Sequence, residues 1–141
     1  MPHFSHAFFI ERPLERVFAV ATTARYWPDW HPATLGVGGD VDHPARLGDT
    51  IVERVNIGGR EGEGTWTVVE ADPPHRLALA ATTGLGRLRI VYTLTQDAGR
   101  TRFQRDLSYE GGPPPLAALM EQQSAEGVRR LKALLEREIP A

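Results

Sequence analysis

Between Gly48 and Tyr109 the chain runs in apolar–polar alternation broken by turns, and the positions of those turns can be checked against one another. Residues paired across a hairpin face the same side of a sheet, so each turn sets the inward face of both runs that flank it. Gly58-Gly59 suits a two-residue hairpin turn, because Gly accepts the positive φ such turns need. Centring on it pairs Ile51 with Trp66 and Glu53 with Gly64. A turn at Asp72-Pro73-Pro74-His75 pairs Trp66 with Ala81, Val68 with Leu79 and Glu70 with Leu77. Gly84-Leu85 fits a type II′ turn and pairs Ala81 with Leu88 and Leu79 with Ile90. Asp97-Ala98-Gly99-Arg100 then pairs Ile90 with Leu107, Leu88 with Tyr109 and Tyr92 with Arg105. Every apolar series falls on one face without a register slip, which predicts an antiparallel meander.

Helical periods flank the meander. Phe4 to Ile10 reads as a strand with Phe4, His6, Phe8 and Ile10 on one face. Pro13 suits the first turn of a helix carrying the stripe Val17, Phe18 and Ala21. A short helical turn is expected around Tyr26 to Trp30, closed by Pro32, and residues 35–48 carry a weak strand at best. After Gly111 to Pro115, residues 116–138 predict one long helix with Leu116, Leu119, Met120, Gln123, Gly127, Leu131, Leu134 and Leu135 inward. A mid-helix Gly costs about 1 kcal/mol against Ala, so Gly127 points to a close approach of a strand or to room for a ligand. The expected class is α+β: a curved antiparallel sheet wrapped around a long C-terminal helix, with two short helices after the first strand. At 141 residues the chain is read as one domain, 1–141.

Composition narrows the chemistry. The chain has no cysteine, which removes disulfides, thiolate nucleophiles and Cys-ligated zinc. A net charge of −2 argues against nucleic-acid binding through bulk charge. Apolar runs fall short of a membrane span, and the first residues lack the regions of a signal peptide, so the expected location is cytoplasmic. All but one of the 16 basic side chains are arginine, the exception being Lys132, a bias best read as genomic. No G-x-S-x-G, phosphate loop or dinucleotide fingerprint occurs, so no cofactor is expected. His3 and His6 fall on opposite strand faces, and no His/Asp/Glu set has metal-ligand spacing; no metal is expected.

The segment Ile10-Glu11-Arg12-Pro13-Leu14-Glu15-Arg16-Val17-Phe18 resembles the strand-to-helix opening of the START-like superfamily. Trp27-Pro28-Asp29-Trp30-His31-Pro32 is similar to its tryptophan-rich second helix. Gly48-Asp49, the passage Val69 to Leu77 and Gly99-Arg100-Thr101 also match its pattern, so the likeness spans nearly the whole chain. That superfamily includes polyketide cyclase/dehydratase-like proteins, the plant pollen-allergen fold and lipid-transfer domains. The resemblance implies a helix-grip fold with a cavity between sheet and helix, and a hydrophobic or aromatic ligand in it. Some relatives are cyclases, dehydratases or hydrolases, many only bind, and some act as co-chaperones. These are signatures of fold and not of chemistry.

The register also picks out polar residues at inward positions: His6, Glu53, Glu70, Tyr92, Arg105 and Tyr109, with Gln123 from the helix. Buried polar groups must be paired or they cost several kcal/mol, about 2–7 for an amide or hydroxyl. Arg105, between Phe103 and Leu107, either binds an anionic or carbonyl group beside the Tyr92 hydroxyl, or covers apolar surface with its stem while its head reaches water or an acid. Glu53, opposite Gly64, is either an acid–base group in an apolar pocket, or a residue in water at the cavity mouth or paired with an Arg. Glu70, just before a turn, is better read as solvent-exposed. Trp27, Trp30 and Trp66 either line a ligand pocket or pack the core. His31, in a Pro-flanked loop at the expected cavity entrance, is either an acid–base group near neutral pH or, the favoured reading, a capping or surface residue.

Three functions follow. The favoured one is binding of an apolar small molecule (a lipid, polyketide or aromatic metabolite), with Trp30, Glu53, Trp66, Tyr92, Arg105, Tyr109, Met120, Gln123 and Gly127 as candidate ligand-binding residues. The second is a cyclase- or dehydratase-type enzyme with Glu53 and Arg105 as catalytic candidates, weakened by their separation of several rows along the strands. The third is a co-chaperone-like interaction module. Homodimer formation is left open.

Overall fold

The computed structural model describes residues 3–83, 86–111 and 114–137. Strand β1 (His3–Ile10) leads into α1 (Leu14–Thr22), a 3-10 turn (Ala24–Tyr26) and α2 (Trp27–Trp30). Strands β2 (Thr34–Gly39), β3 (Thr50–Ile57), β4 (Arg60–Asp72), β5 (Arg76–Thr83), β6 (Gly86–Asp97) and β7 (Arg100–Glu110) follow, then helix α3 (Pro114–Arg137). The strands form one 7-stranded antiparallel sheet in the order β1-β7-β6-β5-β4-β3-β2. Sheet and helix together make the helix-grip architecture. Among the described residues no helix is long and apolar enough to cross a membrane.

The expected register holds across most of the sheet. Ile51 faces Trp66, Leu79 faces Ile90, and Tyr92 faces Arg105. Gly58 and Gly59 take positive φ angles of 62° and 87°, as the tight hairpin requires. The turn expected at Gly84-Leu85 lies outside the described residues. Beyond Gly39 and Thr50, β2 completes one edge of the sheet, a full strand where its glycines suggested a weak one.

One register expectation fails. The turn after β4 closes Asp72 on Arg76, which shifts the hairpin by one residue relative to Val68–Leu79. A bulge between Val68 and Glu70 absorbs the difference, so Glu70 pairs with Ala78 and Ala71 with Leu77. Val69 and Glu70 therefore both lie on the outer side, and Glu70 binds Arg76 and sits 3.8 Å from Arg89.

The inward faces of the strands bury Ile51, Val68, Leu77, Leu79, Leu94 and Phe103 against α1 and α3. On α3 the buried stripe is Met120, Ser124, Gly127, Val128, Leu131 and Leu135, while Gln123 is only half-buried. The side chain of Leu116 lies outside the described residues. The far end of α3 is tied to the β1–α1 junction. Glu136 accepts from the Glu11 N–H at 2.8 Å, and Lys132 donates to the Phe9 carbonyl at 2.6 Å.

Candidate functional site

Among the described residues the buried charged side chains, Glu53 and Arg105, lie where α2, β2, β3, β6, β7 and α3 meet. Strand parity brings Glu53 and Trp66 inward from β3 and β4, and Tyr92 and Arg105 inward from β6 and β7. The Trp27 indole donates to the Ala21 carbonyl at 3.1 Å, which anchors α2 on the end of α1. That anchor sets Trp30 and His31 over the inner face of the sheet. Trp27, Trp30, His31, Glu53, Trp66, Ile90, Tyr92 and Arg105 surround a void of about 10 Å³, room for a single water or one small polar group.

Glu53 is 8% exposed and carries two hydrogen bonds. Trp66 Nε1 donates to Oε1 at 2.9 Å, and the Thr34 hydroxyl donates to Oε2 at 2.5 Å. His31 Nδ1 meets the same Thr34 hydroxyl at 2.8 Å and lies 3.9 Å from Glu53 Oε2. Burial, reinforced by the charges of Arg105 and Arg130, pushes the His31 imidazole well below its usual range. Arg105 is 3% exposed and donates through Nη1 to the Ser124 hydroxyl at 2.6 Å. Its Nε has no hydrogen-bond partner, and among the described residues no carboxylate lies within ion-pair distance. Burial raises the Tyr92 phenol; the adjacent Arg105 guanidinium opposes that shift and Glu53 adds to it.

Five of the residues expected at a site thus converge: Trp30, Glu53, Trp66, Tyr92 and Arg105. The separation expected between Glu53 and Arg105 does not keep them apart, because the sheet's curvature brings both to one void. The others sit elsewhere. Tyr109 is buried on β7 with its hydroxyl unpartnered, and Met120 belongs to the core. Gln123 is half-buried and does not line the void. Gly127 serves a close approach, of the α2 turn and not of a strand. A Cβ there would stand 3.3 Å from His31 Cδ2 and 3.6 Å from both Pro32 Cδ and Trp30 Cε3. Sequence reasoning favoured a surface place for His31, which instead lines the void, and missed Thr34 and Ser124. Only the pairing of β2 with β3 places Thr34 next to Glu53, although an inward polar residue at 124, four after Met120, was open to notice.

Two features lie apart from this cluster. A shallow groove of about 460 Å³ runs over the outer face, with Thr65, Thr67, Ala80, Arg87, Arg89 and Glu110 on its walls. In the loop before β3, Asp40, His43 and Asp49 bring ligand-type atoms within 4.8 Å of one another, a grouping their spacing did not suggest. There Asp40 accepts from the Thr50 N–H and Asp49 from the Arg46 N–H, which clamps the loop.

A family model described as "Polyketide cyclase / dehydrase and lipid transport" matches residues 1–136. No curated protein sequence matches the chain. Among solved structures, a START superfamily protein from Mycobacterium smegmatis is similar at 14% identity, with TM-score 0.80, over 96% of this chain and 97% of that one. The Aha1 dimer from Colwellia psychrerythraea is similar at 18% identity and TM-score 0.75, over 97% of this chain and 98% of that one. The di-domain ARO/CYC BexL from the BE-7585A biosynthetic pathway matches at 18% identity and TM-score 0.72, over 96% of this chain and 47% of that one. At these identities the likeness is one of fold.

Proposed function

Because the chain belongs to the polyketide cyclase / dehydrase and lipid transport family, we propose that it binds a small hydrophobic or aromatic molecule, such as a lipid, polyketide or related metabolite, between the sheet and α3. The ligand carries an oxygen acceptor, and Arg105 and Tyr92 hold that oxygen. One observation carries this reading: a buried guanidinium with an unpartnered Nε and no carboxylate in reach. A buried charge left this way costs several kcal/mol. An acceptor supplied by a ligand removes the cost, and a charge-assisted hydrogen bond is about twice as strong as a neutral one. Trp30 Nε1, lining the same void, is a second buried donor without a partner. The apolar walls of Trp27, Trp30, Trp66 and Ile90 suit a ring or chain attached to that oxygen. With only about 10 Å³ open, the body of the ligand enters by displacing side chains on the α2 side.

The test compares 2-tetralone with tetralin, the same bicycle without the oxygen, by quenching of the tryptophans that line the void. The reading expects the ketone to bind at least tenfold more tightly, with the difference lost in Arg105→Met. Equal affinities, or none for either, would sink it. Native mass spectrometry of freshly purified protein, for a co-purified apolar molecule, gives an independent check.

A further inference from the structure

We propose that His31, Thr34 and Glu53 form a proton relay that makes His31 the acid–base group of this site, so that the protein catalyses proton transfer at the carbon next to the carbonyl of a ligand held by Arg105. This deepens the binding reading and rests on it. The relay is read from hydrogen positions. Both oxygens of Glu53 accept hydrogen bonds, one from Trp66 and one from Thr34, as suits a carboxylate. A hydroxyl has one proton, and that of Thr34 goes to Glu53. The 2.8 Å contact between Thr34 Oγ1 and His31 Nδ1 is then donated by the imidazole. His31 is therefore the Nδ1–H tautomer, and its other nitrogen holds a free lone pair.

The ring carrying that lone pair lines the same void as Arg105 and Tyr92, and 15% of its side chain is exposed, which connects it to solvent protons. The charged and titratable groups around it are Glu53 from β3, Arg105 from β7, Tyr92 from β6 and Arg130 from α3. Burial, then the charges of Arg105 and Arg130, keep the ring neutral, so its free nitrogen is open to a proton.

In the step, the free imidazole nitrogen takes the α-proton. The C–H electron pair becomes the C=C bond of an enolate, and the carbonyl π pair moves to the oxygen facing Arg105 and Tyr92. The imidazolium that forms is met by Glu53 through Thr34, with Nδ1 and Oε2 3.9 Å apart. Returning a proton to carbon completes the cycle, so nothing is oxidised or consumed. Glu53 and Thr34 are positioning residues here, and His31 touches the substrate.

The experiment follows deuterium incorporation at the α-carbon of 2-tetralone in D₂O by mass spectrometry, beside its binding. Exchange above the buffer rate is expected, with His31→Gln lowering it about 10²-fold, the scale of general base catalysis, while 2-tetralone still binds. Thr34→Val should lower the rate and move its pH profile, and Thr34→Ser should restore both. Nitrogen-15 NMR of the unliganded protein should show the Nδ1–H tautomer at His31, lost in Glu53→Gln. Binding without exchange, or exchange that survives His31→Gln, overturns catalysis and leaves the binding reading standing. Absence of 2-tetralone binding overturns both, and an Nε2–H tautomer overturns the relay by itself.

Discussion

Replacing Arg105 with Met should make the protein more stable. Arg105 is 3% exposed, and its protein partners are the Ser124 hydroxyl at 2.6 Å and the adjacent Tyr92 phenol. A hydrogen bond from a charged group contributes about 1.5–3 kcal/mol, whereas stripping water from the charge costs several. Met fills the volume of the Arg stem between Phe103 and Leu107 and contacts Tyr92 without a charge. Ser124 loses its donor but sits on a helix, where a Ser hydroxyl can turn to a carbonyl four residues back. The balance favours Met by about 2 kcal/mol, of the same order as the 1–4 kcal/mol found when apolar residues replace buried ion pairs. For a chain of this size that is a rise in Tm of about 6–8 °C, at about 3–4 °C per kcal/mol. Calorimetry and urea unfolding of both proteins measure it. The same substitution removes one cause of the lowered His31 pKa, so the ring should titrate closer to its ordinary range by NMR. A lower Tm, with His31 unchanged, would refute the reasoning and mark Arg105 as a structural residue.

Other outcomes follow from the same contacts. Unfolded His31 binds a proton near pH ~6.5 while folded His31 resists it, so stability should fall as pH drops below ~6.5, by up to about 1.4 kcal/mol per pH unit. Urea titrations of His31→Gln should lack that part of the slope. Trp66→Phe leaves a buried Glu53 oxygen without its donor and should cost about 1–3 kcal/mol; a double-mutant cycle with Glu53→Gln should show coupling between them. Gly127→Ala sets about 1 kcal/mol of helix propensity against a 3.3 Å contact with His31 and should change stability by less than about 1 kcal/mol. Gly127→Leu has no room beneath α2 and should cost about 1–3 kcal/mol by thermal melting.

The sheet was legible because its turns and alternation are local and because strand parity carries a face from one strand to the next. Ile51, Trp66, Leu79, Ile90, Tyr92 and Arg105 all lie in the rows expected of them. The difference at Glu70 comes from the turn at Pro73-Pro74, whose length by one residue decides which way Glu70, Ala71 and Asp72 point. Site residues were legible where they sat on strands, as Glu53 and Arg105 did. For His31 the choice between an acid–base group at the cavity entrance and a surface residue stayed open, since a loop histidine between Trp30 and Pro32 has no parity to betray its direction. Its partner Thr34 belongs to a glycine-rich edge strand with weak alternation, so the contact with Glu53 exists only in three dimensions. Ser124 was passed over for Gln123 because a helical stripe shifted by one residue fits the leucines nearly as well.

The bulge at Val69 also bears on how this chain tolerates changes in its length. Val68 faces in, Val69 and Glu70 face out, and Ala71 faces Leu77. Without Val69 the series would read inward, outward, inward in regular alternation, so a chain lacking this one residue keeps every other side chain of β4 on its present side. Deletion inside a strand that carries no bulge, such as β7, would instead invert one half of it against the other. Val69 is thus a slack position inside an otherwise phase-locked strand, where the gene can lose a codon without turning the core inside out.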